Sequence, residues 1–227
     1  KVSRDTVAFS GKSFIENSFK NLLALSESRP LDDLCDLYKH VPAVIVASGP
    51  SLSKNIHELK SLEGRALIIA LDSALAPLMA LGIKPHMVVS VDNNDFTFEK
   101  LAPFIDDLGD LDLVYIPTVT PRIPNGIRFR SAYYSFPDAT FQNLFNEILG
   151  RNGSALEDVQ SVLHLALAAA QKAGCDPMVF VGLDLAFSDA RDHAEGTILH
   201  WENHHGVSVP GQVMVEGIHG QMIPSNP

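Results

Sequence analysis

Basic residues are in short supply in this 227-residue chain. Lys and Arg number 17 against 27 Asp and Glu, which gives a formal net charge of −10. A surface this acidic repels nucleic-acid polymers and anionic lipid, although a small phosphorylated ligand needs only a local site. Aromatic residues make up 7% of the chain, too few for a base-stacking platform. The composition therefore excludes binding to a nucleic-acid polymer and leaves small-molecule chemistry open.

Cysteines are equally scarce, since only Cys35 and Cys175 are present. Their spacing matches neither CxxC nor a metal site, so free thiols are predicted, with one disulfide as the alternative. No apolar run reaches the roughly 18 residues of a membrane span, and the N-terminus lacks a signal-peptide core. We therefore expect a cytoplasmic protein without membrane contact. The first residue, Lys1, is not Met, so we expect the central module of a longer chain.

What is present is a regular alternation of apolar strands and amphipathic helices. Predicted strands are 44–47, 66–71, 86–91, 111–116 and 178–181, all buried, with 128–136 as an edge strand. Predicted helices are 53–62, 74–81, 96–105, 139–149 and 154–173. Apolar strand runs require helices on both faces of a sheet. The pattern predicts a doubly wound, mainly parallel, Rossmann-like α/β domain over 41–227, preceded by a helical segment over 1–40.

Several local signals mark the ends of these elements. Gly82 and Gly174 suit the C-terminal caps of their helices. Ser154 and Glu157 have the spacing of a capping box, which predicts that the long helix starts at Ser154. The alternating stretch 207–215 around Pro210-Gly211 predicts a hairpin near the end of the chain.

Small and polar residues follow four of the predicted strands and open the long helix. In doubly wound sheets, ligands bind beyond the carboxyl ends of the strands, so these residues are the candidate nucleotide-binding site. They are Ser48, Gly49, Pro50, Ser51, Asp72, Ser73, Asp92, Asn93, Gly153 and Ser154. Asp184 follows the last strand and is a candidate catalytic residue, with a structural role in a polar network as the alternative. The plainer alternative is that Ser51, Asp72, Ser73 and Asp95 cap helices and that Asp92 is a solvated strand end.

The tight turn at Gly49 is the most informative of these segments. Gly49 permits close backbone approach, and the free N–H groups of the following helix predict an anion site. Lys54 is the nearest cation in sequence. The turn is neither G-x-G-x-x-G nor a Walker A sequence, which argues against a dehydrogenase and a P-loop NTPase. An ordinary strand-to-helix turn with a Ser cap is the alternative.

Two histidine segments are candidates for chemistry. His193 lies in a polar loop after the Asp184 strand and is a candidate acid or base, with a surface His as the alternative. The segment His200–His205 is not H-E-x-x-H, because Glu202 is two residues after His200, and no further ligand has metal-site spacing. We therefore predict no metal site.

Two ordered motifs resemble a known family. The segment Val44–Ile56, with its Gly-Pro-Ser-Leu, and the later segment Gly182–Phe187 followed by His193-Ala194 resemble signatures of the motility accessory factors (Maf). Gly153-Ser154 before an Ala/Leu-rich helix also fits that family. This family shares a domain with the archaeal 6-hydroxymethyl-dihydropterin pyrophosphokinase MptE, and the resemblance spans roughly residues 40–225.

The resemblance implies a Rossmann-like domain similar to bacterial sialyltransferases. It implies a CMP-activated nonulosonic sugar as donor and Ser or Thr of flagellin as acceptor, with no required cofactor. By analogy, the Gly49–Ser51 loop, Asp72-Ser73 and Gly153-Ser154 line the nucleotide, and His193 is the base. The sialyltransferases carry Asn where this chain has Ser48, a departure that bears on the cytidine contacts.

Three functions follow from this interpretation. The first is a metal-independent glycosyltransferase, in which loop N–H groups stabilise the departing phosphate. The second is a Mg-ATP-dependent pyrophosphokinase acting on a hydroxymethyl-dihydropterin, with Asp92, Asp95 or Asp184 holding the cation. The third is a non-catalytic module that binds a nucleotide or flagellin.

Overall fold

A computed structural model describes residues 2–156, 161–185, 193–198, 213–216 and 222–225. Its helices are α1 (Val2–Lys20), α2 (Leu22–Glu27), α3 (Leu52–Asn55), α4 (Leu75–Ala80), α5 (Phe96–Leu101), α6 (Ala139–Leu149) and α7 (Val162–Lys172). Its strands are β1 (Arg29–Pro30), β2 (Ala43–Val46), β3 (Leu67–Leu71), β4 (Met87–Ser90), β5 (Asp112–Tyr115), β6 (Ser131–Tyr134), β7 (Met178–Val181), β8 (Val213–Glu216) and β9 (Met222–Ser225). Short 3₁₀ turns extend several helices, including Ile56–Leu62 after α3 and Asp72–Ala74 before α4.

Seven of the strands form one parallel sheet in the order β1-β6-β5-β4-β3-β2-β7. The interior strand β2, which lies next to the edge strand β7, is buried on both faces, as its uninterrupted apolar sequence predicts. Ala43 and Ile45 pack in the core that includes α7, whereas Val44 and Val46 pack in the core that includes residues of α3 and α4. The predicted doubly wound α/β fold, with helices on both faces, is confirmed.

The chain reverses direction across the sheet at β2. Strands β2, β3, β4, β5 and β6 are neighbours in chain order, running from β2 toward the β1 edge of the sheet. The next strand, β7, lies on the other side of β2. The carboxyl ends of β2 and β7 therefore flank a topological switch point, which is where open α/β sheets bind ligands.

Several local predictions are confirmed. Helix α6 has the predicted bounds, with Asp138 as its N-cap and Gly150 in the left-handed conformation after it. Gly82 and Gly174 follow their helices with positive φ, as C-caps do. Both cysteines are free thiols, Cys175 buried and Cys35 exposed.

Two predictions about strand position are wrong. β6 is not at the edge of the sheet, because Arg29 and Pro30 pair with Tyr133 and Tyr134 and occupy the edge themselves. Pro30 has no N–H to donate to a neighbouring strand, so an edge position, with a strand on one side only, suits it. β7 is not fully buried: it pairs only with β2 among the described strands, and Val179 and Phe180 are more than 40% exposed.

The start of the long helix also differs from its prediction. α7 begins at Val162, where the Ser161 hydroxyl accepts the N–H of His164. Ser154 lies instead in an extended stretch beside Phe136, whose N–H it accepts at 3.4 Å. Glu157, the other half of the predicted capping box, lies outside the described residues.

A hairpin that the sequence pattern did not predict lies near the end of the chain. β8 and β9 form an antiparallel two-stranded sheet of their own, with residues 217–221 between them. The predicted turn, Pro210-Gly211, lies outside the described residues.

The N-terminal segment is tied to the carboxyl edge of the sheet. The Asn21 side chain donates to the carbonyls of Pro117 and Val119, and Asn17 donates to those of Asn93 and Thr118. These contacts and β1 join the segment 1–40 to the α/β domain. Among the described helices, none has the length and apolar character needed to cross a bilayer.

Candidate functional site

The loops after β2 and β7 meet at the switch point. The N–H of Gly49 donates to the Gly182 carbonyl at 2.8 Å, and the N–H of Ser51 donates to Asp184 Oδ2 at 2.9 Å. We call residues 48–51 and 182–184 together the switch-point site. Residues 133 positions apart in the chain are thus held in direct contact.

Glycine is required at two positions of this site. A Cβ on Gly49 would lie 2.2 Å from Asp184 Oδ2 and 2.5 Å from the Gly182 carbonyl oxygen. A Cβ on Gly182, where φ is +71°, would lie 2.2 Å from the Ala47 carbonyl oxygen. The two glycines let the strand ends approach closely enough for the Asp184 carboxylate to reach the loop backbone.

The predicted phosphate cradle needs correction. Gly49 and Ser51 already donate their N–H groups across the switch point, Pro50 has none, and the N–H groups of Leu52 and Ser53 donate to the Gly49 and Pro50 carbonyls. Helix α3 has only four residues, too few to sum an appreciable dipole. The carboxylate of Asp184 takes the place that the sequence assigned to an anion, so this loop presents acceptor oxygens and hydroxyls instead.

A polar network continues from the switch point along the carboxyl ends of β3 and β4. The hydroxyls of Ser48 and Ser73 are 2.8 Å apart. Next to Ser73, the Asp72 carboxylate accepts bonds from Ser90 at 3.0 Å and from Lys100 at 3.1 Å. The Lys100 ammonium also lies 3.7 Å from Asp92. We call Asp72, Ser90, Asp92 and Lys100 the buried network.

Burial dominates the electrostatics of Asp72. Its side chain is 3% exposed and that of Lys100 is 9% exposed. Removal from water raises the pKa of Asp72, and this outweighs the attraction of Lys100. Asp92 is half exposed and lies between Lys100 and solvent. The network joins the interior of the sheet to its carboxyl edge.

Lys100 is the functional candidate that sequence reasoning missed. Lys54 is the nearest cation in the sequence, but it is exposed at the end of α3. The available signal was the position of Lys100, one turn after Phe96 and next to Leu101, on the apolar side of a predicted helix. A lysine buried on such a face needs a charged partner, and Asp72 supplies it.

His193 is placed beside the switch point. The N–H of Ala194 donates to the Ser48 carbonyl at 2.7 Å, and the N–H of Glu195 donates to the Ser53 hydroxyl at 3.1 Å. These bonds fix the residues after His193 on the Gly49 turn. His193 therefore lies at the same edge of the sheet as Asp184. Ser48, Asp72 and Ser73 are at that edge too.

Asn93 and Asp95 are engaged with other parts of the protein. The Asn93 side chain donates to the Ser13 hydroxyl at 2.5 Å, and the backbone carbonyl of Asn93 accepts a bond from the side-chain amide of Asn17. Asp95 accepts the hydroxyl of Thr120 at 2.6 Å. These bonds connect the β4 loop to α1 and to the loop after β5, which is a structural use of both residues.

Gly153 and Ser154 lie at the opposite side of the sheet. The Ser154 N–H and hydroxyl both donate to Asp32, which also accepts from Lys172. Gly153 packs its Cα side against the rings of Tyr134 and Phe136. We call Asp32, Ser154 and Lys172 the edge cluster. β6 and β2 are four strands apart, about 19 Å at about 4.8 Å per strand, so the structure does not bring this pair to the switch point.

The aspartate of the edge cluster has a lowered pKa, whereas that of the buried network has a raised one. Partial burial raises the pKa of Asp32, but hydrogen bonds from Lys172 and Ser154 outweigh it, and the net pKa is below that of an ordinary carboxyl. Both charged side chains are about one-third exposed. The cluster ties the turn after β1 to α7.

Metal ligands do not converge in the part of the chain that the structure describes. No group of three or more His, Cys, Asp or Glu side chains is arranged to hold an ion there. The segment His200–His205 lies outside the described residues.

The fold and its switch-point loops define a Rossmann-like α/β domain. A sequence model of the family described as 6-hydroxymethylpterin diphosphokinase MptE-like matches residues 14–190. The chain belongs to this MptE-like family. The predicted resemblance is therefore confirmed for the domain that Maf proteins and MptE share.

A solved structure extends the comparison. The Maf glycosyltransferase from Magnetospirillum magneticum AMB-1 matches with a TM-score of 0.66 and 24% sequence identity, over 95% of this chain and 32% of that protein. This chain thus spans about a third of the length of its structural neighbour. At this identity the likeness establishes a shared fold. None of the curated proteins matches the chain.

Proposed function

We propose that this chain is the catalytic domain of a glycosyltransferase that uses a nucleotide-activated sugar. The observation that carries the proposal is the convergence of Ser48, Ser73, Asp184 and His193 at the switch point of a sheet whose fold is that of a Maf glycosyltransferase. The hydroxyl and carboxylate oxygens of these residues suit the ribose and sugar hydroxyls of a donor. We propose a CMP-linked nonulosonic sugar as the donor and flagellin Ser or Thr as the acceptor, in the cytoplasm.

The proposed reaction needs a base for the acceptor hydroxyl. His193 takes the proton of the acceptor hydroxyl, whose oxygen then bonds the anomeric carbon. The bond from that carbon to the phosphate oxygen breaks, and CMP leaves with the electron pair. Asp184 organises the Gly49 turn through the Ser51 N–H, so it acts as a positioning residue. No step requires a metal, and we expect none.

A second candidate is the pyrophosphokinase activity for which the family is described. It requires carboxylates that are available to a magnesium ion. Asp92 is instead 3.7 Å from Lys100, Asp95 accepts from Thr120, and Asp184 accepts from Ser51. These carboxylates are used by the fold and do not form a group of three or more metal ligands among the described residues, so the glycosyltransferase is favoured.

Titration calorimetry with CMP, CMP-sialic acid and Mg-ATP separates these functions. We expect binding of CMP and the CMP-sugar that persists in a chelator. Tight Mg-ATP binding that the chelator abolishes, without CMP binding, would overturn the proposal in favour of the kinase. If none of the three binds, the non-catalytic module becomes the better interpretation.

Two matched variants locate the binding site. Ser73→Ala removes a hydroxyl next to the switch point and is expected to weaken CMP binding several-fold. Ser154→Ala removes a hydroxyl from the edge cluster and is expected to leave CMP affinity unchanged. His193→Ala is expected to retain CMP binding but lose transfer to the acceptor. Full activity of His193→Ala in cells would contradict the assigned base.

A further inference from the structure

The N-terminal helices α1 and α2 bury polar side chains and expose apolar ones. Asn17 is 7% exposed and Asn21 is fully buried between them, whereas three large apolar residues face solvent. These residues are Ile15, Phe19 and Leu23, which are 55%, 47% and 67% exposed. A helix that packs on a globular domain usually has the reverse arrangement, with its apolar residues facing the core. The inverted arrangement leaves apolar surface on the outside of the molecule.

Amide side chains attach the inner side of these helices to the α/β domain. The Asn21 amide donates to two backbone carbonyls of the loop after β5, and its oxygen accepts a bond from Asn125 at 2.9 Å. The Asn17 amide donates to the carbonyls of Asn93 and Thr118 at 2.9 and 3.1 Å. Because these bonds determine which side of the helix faces the domain, they also determine that the apolar side faces outward.

The exposed apolar residues form one row along the two helices. The N–H groups of Asn21 and Leu25 each donate to the carbonyl four residues earlier, both at 2.8 Å, so helical hydrogen bonding continues from α1 into α2. Residues four apart lie on the same side of a helix. The row is about 12 Å long, at about 1.5 Å per residue. We call Ile15, Phe19 and Leu23 the apolar stripe.

The charged residues along the apolar stripe alternate in sign. They are Lys12, Glu16, Lys20 and Glu27, all of them exposed. Their charges cancel, although the whole chain has a net charge of −10, so repulsion between two copies is weak at this surface. Read from the opposite end, the order of signs is reversed. A second helix that packs antiparallel therefore meets each charge with its opposite, whereas a parallel helix meets each charge with its like.

We propose that the apolar stripe is the interface of a homodimer, in which the α1 helices of two copies pack antiparallel across a two-fold axis at Phe19. This inference does not depend on the proposed glycosyltransferase function. In such a contact the same surface is used on both copies, so Ile15 of each copy packs on Leu23 of the other. A contact between two helices is smaller than a standard interface, and we expect a dissociation constant on the order of 10 μM.

The same axis accounts for the order of the charges. Residues whose numbers sum to about 38 face each other across an axis at Phe19. Lys12 then lies near Glu27 of the partner subunit, and Glu16 lies near Lys20 of the partner subunit. These pairs are offset by about two residues or fewer, which is about 3 Å along the helix and within the reach of long side chains.

Sedimentation velocity of the 227-residue chain tests the homodimer. We expect the mass to rise with concentration from 24.7 kDa toward twice that value. Leu23→Ser removes the most exposed side chain of the stripe from both copies and is expected to raise the dissociation constant at least about tenfold. Leu37→Ser, at a leucine that is 59% exposed in another part of the chain, is expected to leave it unchanged. A chain that remains at 24.7 kDa up to about 200 μM, or a dimer that Leu23→Ser leaves intact, would overturn the proposal.

An exchange of charges tests the antiparallel packing. Lys12→Glu and Glu27→Lys each bring like charges together across the axis and are each expected to weaken the dimer about fivefold. The double variant Lys12→Glu/Glu27→Lys restores opposite charges and is expected to dimerise within about twofold of the wild type. Both residues are exposed, so the thermal midpoint of the monomer should not change in any of these variants. A double variant that dimerises no better than the single variants would overturn the antiparallel arrangement.

Discussion

The buried network and the edge cluster each pair an aspartate with a lysine, yet they differ in burial and in consequence. Asp72 and Lys100 are almost fully enclosed next to the switch point. Asp32 and Lys172 remain about one-third exposed beside Ser154. Desolvation outweighs the attraction of Lys100 at the enclosed Asp72 and raises its pKa, whereas hydrogen bonds from Lys172 and Ser154 outweigh the smaller desolvation of Asp32 and lower its pKa. Burial, rather than the residue pair, decides what each cluster does.

The largest expected difference is in stability. Lys100→Met leaves the Asp72 carboxylate buried without its cation and is expected to lower the free energy of unfolding by about 3–5 kcal/mol. Lys172→Met in the edge cluster is expected to lower it by about 1 kcal/mol or less. Urea denaturation of the two variants measures both values. Asp72→Asn combined with Lys100→Met should recover most of the first loss, and equal losses in the two single variants would refute the contrast.

Replacing a glycine should also cost more stability at the switch-point site, at Gly49, than next to the edge cluster, at Gly153. Gly49→Ala drives a methyl into the Asp184 carboxylate and is expected to cost about 1–3 kcal/mol, together with nucleotide binding. In Gly153→Ala the new methyl meets ring carbons of Tyr134 and Phe136 at 3.1 and 3.2 Å and the Tyr134 hydroxyl at 3.3 Å, so this variant should cost less. Gly109→Ala, where a Cβ meets nothing within 4 Å, is the neutral control. Thermal unfolding ranks the three variants, and a larger cost at Gly153 than at Gly49 would be inconsistent with the described turn.

The smallest expected effect is a pH dependence at the edge cluster. The pKa of Asp32 is lowered in the folded state, so its contribution to stability is present above the ordinary carboxyl pKa of about 4 and is lost as pH falls through the lowered value. Asp32→Asn should therefore destabilise the protein more at pH 7 than at pH 2.5. Thermal midpoints at the two pH values test this. A constant difference between variant and wild type would show that Asp32 contributes no charge-dependent stability.

The sequence pattern was sufficient for the strands whose apolar runs are buried on both faces. β2, β3, β4 and β5 fall within about a residue or two of their predicted bounds. The bounds of β7 are also as predicted, but its burial is not, because an apolar run does not reveal whether the neighbouring position in the sheet is filled. The sequence pattern failed for the start of α7 because Ser154 satisfies its hydrogen bonds with Asp32, which is 122 residues away.

The residues of the candidate site also divide into those that the sequence predicts and those that it does not. Residues that directly follow strands, such as Ser48, Asp72 and Asp184, were predictable because parallel strands bring their carboxyl ends to one edge. Lys100 was not predictable in this way, because it lies on helix α5 and does not follow a strand. The sequence motif predicted that Gly153-Ser154 lies at the switch point. In the structure the pair lies about four strands away, because β1 and β6 hold that turn at the far side of the sheet.

The sequence by itself determined the fold class, the free thiols, the shortage of cations and the set of polar strand ends. These follow from local composition and from the two-faced burial of apolar strands. Only the tertiary structure decided which strand ends meet, because strand order is a long-range property. It also decided that Asp184 rather than a ligand anion accepts the Ser51 N–H, since that bond depends on two glycines lying against each other across the switch point.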